Sequence, residues 1–168
     1  MDNYERKIKM TPTLYILCGT AGSGKSTFAS NFTNEHTIWV SRDNIRFRYL
    51  DKNPNAHYFD FEKESFNDFI NEIVTALQNN YDVIADATHL NTPSRKKLTR
   101  AIDQYYKDYK IIYIVFLASA EECIKHNANR TGHRFVPEDV IRNMRESLTI
   151  PQNEDTRAVG LWRIEGEV

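Results

Sequence analysis

An α/β sandwich with a mainly parallel sheet is predicted by three features of the sequence. Short apolar runs recur at residues 14–18, 37–40, 81–86 and 111–117. Stretches with apolar residues three and four apart separate them. The length, 168 residues, is enough for one such core without disulfide or metal staples. Parallel strands joined by right-handed crossovers carry helices on both faces, which gives three layers.

The run at 14–18 ends in glycine and reads as a buried strand. From Lys25, a helix places Phe28, Ala29 and Phe32 on one face. A second strand at 37–40 leads into a helical start at 44–49, closed by the polar break Lys52-Asn53-Pro54-Asn55. Phe66, Phe69, Ile70, Ile73, Val74 and Leu77 recur at helical spacing and predict an amphipathic helix. The strand at 81–86 ends in a carboxylate. Thr92 is expected as an N-cap with Pro93 at the first helical position, and Leu98, Ile102, Tyr105 and Tyr109 continue that helix. Ser119 and Glu122 have capping-box spacing. Pro137-Glu138-Asp139 opens a further helix with acid at its positive end, and 161–164 is the expected last strand. A flexible polar leader is expected over residues 1–12 and one domain over 13–168.

Composition narrows the function classes. Hydrophobic residues at 40% and charged residues at 27% fit an ordinary soluble domain. With 22 Lys and Arg against 23 Asp and Glu, the net charge is −1, so any polyanion is to be held by a local cluster. No apolar run reaches the ~18 residues of a membrane-spanning helix, and residues 1–10 lack the apolar centre of a secretory signal. Cys18 and Cys123 form no C-x-x-C, which argues against a zinc ribbon or dithiol motif, and a reduced cytoplasmic compartment is the expectation.

Gly19-Thr20-Ala21-Gly22-Ser23-Gly24-Lys25-Ser26 matches G-x-x-x-x-G-K-[ST] in full, between a strand and a helix. Glycines let the backbone curl so that N–H groups converge on phosphate oxygens, and the helix aims its positive end at the same point. A P-loop NTPase fold follows, with this loop and Thr27 expected to bind ATP. Lys25 would reach the β- and γ-phosphates, and Ser26 would put its hydroxyl on Mg²⁺. Asp86 stands where such folds place a second metal-ordering carboxylate; the competing reading is a strand-end Asp that caps the next turn. Neither Asn-Lys-x-Asp nor Thr-Lys-x-Asp follows the loop, which removes support for guanine-specific switches. Ser-Gly-Gly-Gln is also absent, which argues against a transporter ATPase. Small kinases chiefly remain.

A kinase needs a carboxylate for the acceptor's proton and cations for the transferred phosphoryl group. Asp43, in Ser41-Arg42-Asp43-Asn44-Ile45-Arg46, sits at the C-terminal edge of a strand, where α/β sheets bind ligands. Arg42 and Arg46 share a helical face suited to an acceptor phosphate; the bland alternative is a solvated charge pair. Arg130 and Arg134 lie in a connection between two predicted helices, which reads as a short arginine-bearing lid hinged at Gly132, or as a basic surface turn. Arg142 and Arg145 are expected to face solvent, and His89 and His133 to stand at the rim. Tyr49, His57, Tyr58, Phe59 and Phe61 read equally as a base-stacking platform or as core packing.

In order, the Gly19-to-Ser26 loop, Arg42-Asp43-x-x-Arg46, Asp86-Ala87-Thr88-His89-Leu90-Asn91 and Asn127-x-x-Arg130 through Val136-Pro137 resemble the 5′-kinase domain of phage polynucleotide kinase. They also resemble the wider P-loop kinase group that includes zeta-toxin-like kinases. The resemblance spans about residues 13–150. The family's strand-end segment reads closer to Ser-Asp-Thr-Asn-Leu-Asn, with its acid displaced by one from Asp86. The resemblance implies ATP- and Mg²⁺-dependent transfer of the γ-phosphate to a 5′-hydroxyl end of DNA or RNA. Asp43 would then be the general base, with Lys25 and Ser26 on ATP and metal. Arg46 would hold the acceptor's neighbouring phosphate; apart from the resemblance, Arg42 is a further candidate for acceptor binding by its spacing, and Thr88 reads either as a residue lining the acceptor site or as part of the turn. Arg130 would act on the transferring phosphate, with Arg134 beside it. Two alternatives stand next to this: a kinase of a small metabolite or nucleotide sugar, and a non-catalytic ATP-binding regulator.

Overall fold

A computed structural model describes residues 10–166. Of the expected leader, residues 1–9 lie outside the described residues; residues 10–12 have no regular structure. At the centre of a five-stranded sheet runs β1 (Thr13–Cys18), between β3 (Asp82–Asp86) and β4 (Lys110–Phe116). β2 (Thr37–Ser41) pairs outside β3, and β5 (Ala158–Ile164) outside β4. Every neighbouring pair is parallel, so the predicted α/β class holds.

The period of two along β1 sorts its side chains between two cores. Leu14, Ile16 and Cys18 join one cluster with Val83, Ala85, Ile111, Tyr113 and Val115. Phe69, Ile73 and Leu77 of α3 (Glu62–Gln78) cover that face, with Leu98 and Ile102 of α4 (Thr92–Asp103). Leu17 joins the opposite cluster with Ile84, Ile114 and Phe116, covered by Ala29, Phe28 and Phe32 of α1 (Lys25–Phe32). A third, smaller cluster joins Ala118 to Cys123 of α5 (Ala120–Asn127) and Ile141 of α6 (Glu138–Ser147).

Register sets the functional edge. Ser41 pairs with Asp86, so β2 and β3 end level. The N–H of Gly19, one residue beyond β1, donates to Thr88 O at 2.9 Å. The chain therefore delivers the glycine loop, Asp86 and the start of α2 (Arg42–Lys52) to one side of the sheet.

Several local expectations shift. Asn91, not Thr92, caps α4: its side chain accepts from Ser94 N, and the Ser94 hydroxyl closes a capping box. α4 stops at Asp103, so Tyr105 and Tyr109 do not extend it. Tyr109 is buried before β4, where its hydroxyl donates to Asp103 at 2.7 Å. α2 starts two residues earlier than predicted, because the Ser41 hydroxyl accepts from Asn44 N and caps it. Ser119 and Glu122 do form a capping box on α5. Among the described residues, no helix is long and apolar enough to cross a membrane.

Candidate active site

The loop between β1 and α1 has the backbone a phosphate cradle requires. Gly24 caps α1 at φ 94° without a side-chain bond, which leaves first-turn N–H groups for a ligand. Gly22 has φ 82°, and a Cβ there would stand 2.4 Å from Cys123 O. The loop thus rests directly on α5, and His126 Nδ1 lies 3.0 Å from Gly22 O. Lys25 is buried, and its ammonium donates to Thr20 O at 2.8 Å. Burial pushes the Lys25 pKa down; Asp86 and Asp43 oppose that push, and Arg130 adds to it. Both acids are therefore close enough for their charge to be felt at the ammonium. The hydroxyls of Thr20 and Ser23 are buried without a partner among the described residues, an arrangement that a ligand's oxygens would satisfy. Ala21 is half-buried, and Thr27 is exposed on the first turn of α1.

Ser26 and Asp86 meet at the loop's edge. The Ser26 hydroxyl donates to Asp86 Oδ2 at 3.1 Å, and Trp39 Nε1 donates to the same oxygen at 3.0 Å. Burial raises the Asp86 pKa, while Lys25, Trp39 and Ser26 pull it back down. A hard cation takes oxygen ligands, and a hydroxyl beside a carboxylate at a phosphate loop suits Mg²⁺ completed by phosphate and water. Among the described residues, no group of three or more His, Cys, Asp or Glu is placed to hold a metal.

Asp43 stands in the first turn of α2 with its side chain 61% exposed. Its Oδ1 accepts from Arg46 Nη1 at 2.6 Å and from the Tyr58 hydroxyl at 3.0 Å. Oδ2 has no hydrogen bond among the described residues, so its lone pairs are open to an acceptor hydroxyl. Arg46 is buried and heavily engaged: Nη1 also donates to Tyr58 Oη at 2.7 Å, and Nη2 to Glu62 Oε2 at 2.7 Å. Its guanidinium sits 4.5 Å over the Tyr58 ring. Burial and Asp43 raise the Tyr58 pKa to about 12, so the phenol remains a donor. Arg42 turns to the other oxygen of Glu62 and lies 5.0 Å over the Phe66 ring.

The arginine-bearing loop is stapled at its base. The buried amide of Asn127 donates to Val136 O at 2.7 Å and accepts from Val136 N at 3.0 Å. Between these ends, residues 128–135 are exposed. Gly132, φ 57°, opens a 3₁₀ turn to Arg134. The guanidinium of Arg134, the residue expected on ATP, lies 4.3 Å over the Phe47 ring of α2. Arg145, expected in solvent, is half-buried and donates to Ala118 O at 3.0 Å. Arg142 is exposed and paired with Glu121. Tyr58, expected either to stack bases or to pack inward, bonds to Asp43 and Arg46, whereas Phe59 is exposed and Tyr49 stacks on Phe61.

Sequence reasoning missed Tyr58's bond to the acid, Glu62, Trp39 and a second network behind the site. Arg95 and Glu154 form an ion pair at 2.6 Å with side chains 1% and 4% exposed. Arg95 also donates to His89 O, Thr149 O and Thr149 Oγ1. It fixes the 88–91 turn whose Thr88 carbonyl holds Gly19.

His89, placed at the rim by sequence, is buried in that turn, with Nδ1 2.9 Å from Leu17 O. Burial drives its pKa from the ordinary 6.5 down to about 4, with Arg42, Lys25 and Arg95 acting in the same direction and the Leu17 carbonyl opposing. Between those values the unfolded chain binds the extra proton. Stability is therefore complete above about pH 6.5 and falls as pH drops towards 4, by about 3 kcal/mol. His89→Asn tolerates φ 40° and cannot titrate there. The expected result is a shallower decline of the denaturant midpoint across that window than in the wild-type chain. Parallel declines would remove His89 as the cause.

The five-stranded parallel sheet, the glycine loop with its lysine and the strand-end acids define a P-loop kinase fold. A family model described as an AAA domain matches residues 14–151, and the chain belongs to that family. The L-seryl-tRNA(Sec) kinase of Methanococcus maripaludis is 31% identical over 143 residues, covering 82% of this chain and 53% of the relative. The solved Pnkp1/Rnl/Hen1 RNA repair complex contains a chain 29% identical, with a TM-score of 0.69 over 82% of this chain and 44% of that one. A solved Chloroflexus aurantiacus protein shares the fold at 17% identity, with a TM-score of 0.68 over 92% of this chain and 85% of that one. The chain thus spans about half the length of the curated relative it matches.

Proposed function

We propose that this chain is an ATP-dependent kinase that transfers the γ-phosphate to the 5′-hydroxyl of a DNA or RNA end. The observation that carries the reading is Asp43: an acid held on one oxygen by Arg46 and Tyr58, open on the other, and within electrostatic reach of Lys25. The resemblance to a chain of an RNA repair complex and to a tRNA-directed kinase supports a nucleic-acid acceptor.

In this reading the Gly19–Ser26 loop holds the triphosphate, and Lys25 leaves Thr20 O for the β- and γ-phosphates. Ser26 and Asp86 would hold Mg²⁺, which supplies charge neutralisation on those phosphates. The acceptor oxygen attacks the γ-phosphorus, its proton passes to Asp43 Oδ2, and the bond to the β,γ-bridging oxygen breaks to release ADP. Arg46 and Tyr58 keep the carboxylate aimed. Arg130, exposed on the loop and felt at Lys25, closes over the transferring group.

One observation favours a second reading. Asp43, Tyr58 and Glu62 already occupy Arg46, which leaves less of it for an acceptor phosphate and suits a small hydroxyl acceptor. Incubation with γ-labelled ATP, Mg²⁺ and 5′-hydroxyl DNA and RNA oligonucleotides, beside a small-metabolite panel read by ADP release, separates the two. Label on an oligonucleotide end is expected. ADP release with metabolites alone would replace this reading by the second, and ATP binding without transfer would leave a regulator.

A further inference from the structure

The net charge of −1 conceals a basic cleft beside the acceptor acid. Between α3 and α4 lies a depression of about 560 Å³ lined by Phe66, Lys96, Lys97, Arg100 and Gln104, among others. Lys96, Lys97 and Arg100 are exposed, and none forms an ion pair among the described residues. Glu154, the carboxylate that feels Lys96, is already bonded to Arg95 and Thr92. Three uncompensated cations in one cleft, on a chain whose net charge is only −1, call for an anionic occupant.

Phe66 connects this cleft to the site. Its ring carries Lys97 Nζ at 4.7 Å and the Arg42 guanidinium at 5.0 Å. Arg42 in turn shares Glu62 with Arg46, which holds Asp43. A continuous line of cations therefore runs from the acceptor acid across Phe66 onto the outer face of α4. Glu62 neutralises the inner end, and the outer end is left open.

We propose that the α3–α4 cleft binds the phosphodiester backbone of a single-stranded acceptor, on the 3′ side of the nucleotide whose hydroxyl faces Asp43. This rests on the polynucleotide reading above and adds a second contact area to it. Lys96, Lys97 and Arg100 hold successive phosphates. Phosphate contacts of this kind position a strand without reading its sequence. Acceptors long enough to reach α4 would bind more tightly than a single nucleotide, with marked salt dependence.

The test compares the wild-type chain with Lys96→Ala/Lys97→Ala/Arg100→Ala, all exposed helical positions where alanine preserves the helix. Anisotropy of a fluorescein-labelled 5′-hydroxyl single-stranded 10-mer gives affinity without any need for transfer. The expected result is about tenfold weaker binding and a log Kd against log salt slope shallower by about 2, from three lost phosphate contacts. In transfer assays, KM for the 10-mer rises by a similar factor, while kcat and the KM for a nucleoside 3′-monophosphate stay unchanged. Equal 10-mer affinity and slope in the two proteins, or no 10-mer binding by the wild type, overturns the cleft assignment. Binding that depends on the three cations, with no transfer to any end, upholds the cleft and overturns the kinase reading instead.

Discussion

Asp43→Asn is expected to lower kcat for phosphoryl transfer by about 10²–10⁴-fold, the contribution of a positioned general base. ATP should bind no more weakly, because the charge removed is a negative one that Lys25 feels. The loop that would bind ATP is built by Gly22, Gly24, Lys25 and the Thr88 carbonyl, none of which bonds to Asp43. Stability should also stay within about 0.5 kcal/mol, because the Asp43 side chain is largely exposed. Asparagine keeps an oxygen for Arg46 and Tyr58, and Arg46 retains Glu62 at 2.7 Å. What is lost is the ability to take a proton. Quench-flow or steady-state transfer, paired with nucleotide titration and a denaturant melt, checks all three. An Asp43→Asn chain with unchanged kcat would end its assignment as the base.

The largest stability effect is expected at Arg95. Its guanidinium is 1% exposed and serves Glu154, His89 O and Thr149. Arg95→Ala strands the Glu154 carboxylate in the interior with the Thr92 hydroxyl. Removing one partner of a buried pair costs about 3–5 kcal/mol, mostly through the charge left behind. Arg95→Met with Glu154→Leu removes both charges at similar volume and should recover most of that loss. Denaturant melts at pH 7 distinguish the variants. Loss below about 1 kcal/mol in Arg95→Ala would show that the pair is not buried in solution. Because the 88–91 turn holds Gly19, Arg95→Ala should also weaken ATP binding, with no contact of its own to the loop.

The elements that could be read in the sequence are those set by local rules. The unbroken apolar run of β1 and the 3.6-residue spacing of apolar residues in α3 dictate burial whatever packs against them. The Ser119–Glu122 box and the glycine loop carry their chemistry within eight residues or fewer. What stayed hidden depends on long-range pairing. Trp39 reaches Asp86 across 47 residues, Arg95 reaches Glu154 across 59, and Glu62 lies 16 beyond Arg46. No periodicity announces such contacts. Tyr105 and Tyr109 misled for a related reason: their spacing continues that of Leu98 and Ile102, but the helix has already ended at Asp103. The charge of Arg134 suggests an anionic partner, and sequence spacing gives no hint that its plane lies over the Phe47 ring. Glu62 also alters the meaning of Arg42 and Arg46. As a bare pair they suggest a phosphate grip; in the structure one acid, Glu62, bonds to both, and Arg46 also bonds to Asp43.

An experimental structure with a non-hydrolysable ATP analogue, Mg²⁺ and a 5′-hydroxyl oligonucleotide would locate the acceptor oxygen relative to both acid and phosphorus. The expected result places that oxygen about 2.6–3.2 Å from Asp43 Oδ2 and in line with the γ-phosphorus seated on the Gly19–Ser26 loop. A nucleotide on the loop with Asp43 turned to solvent, and the strand end lying elsewhere, would contradict a phosphotransferase built on this acid.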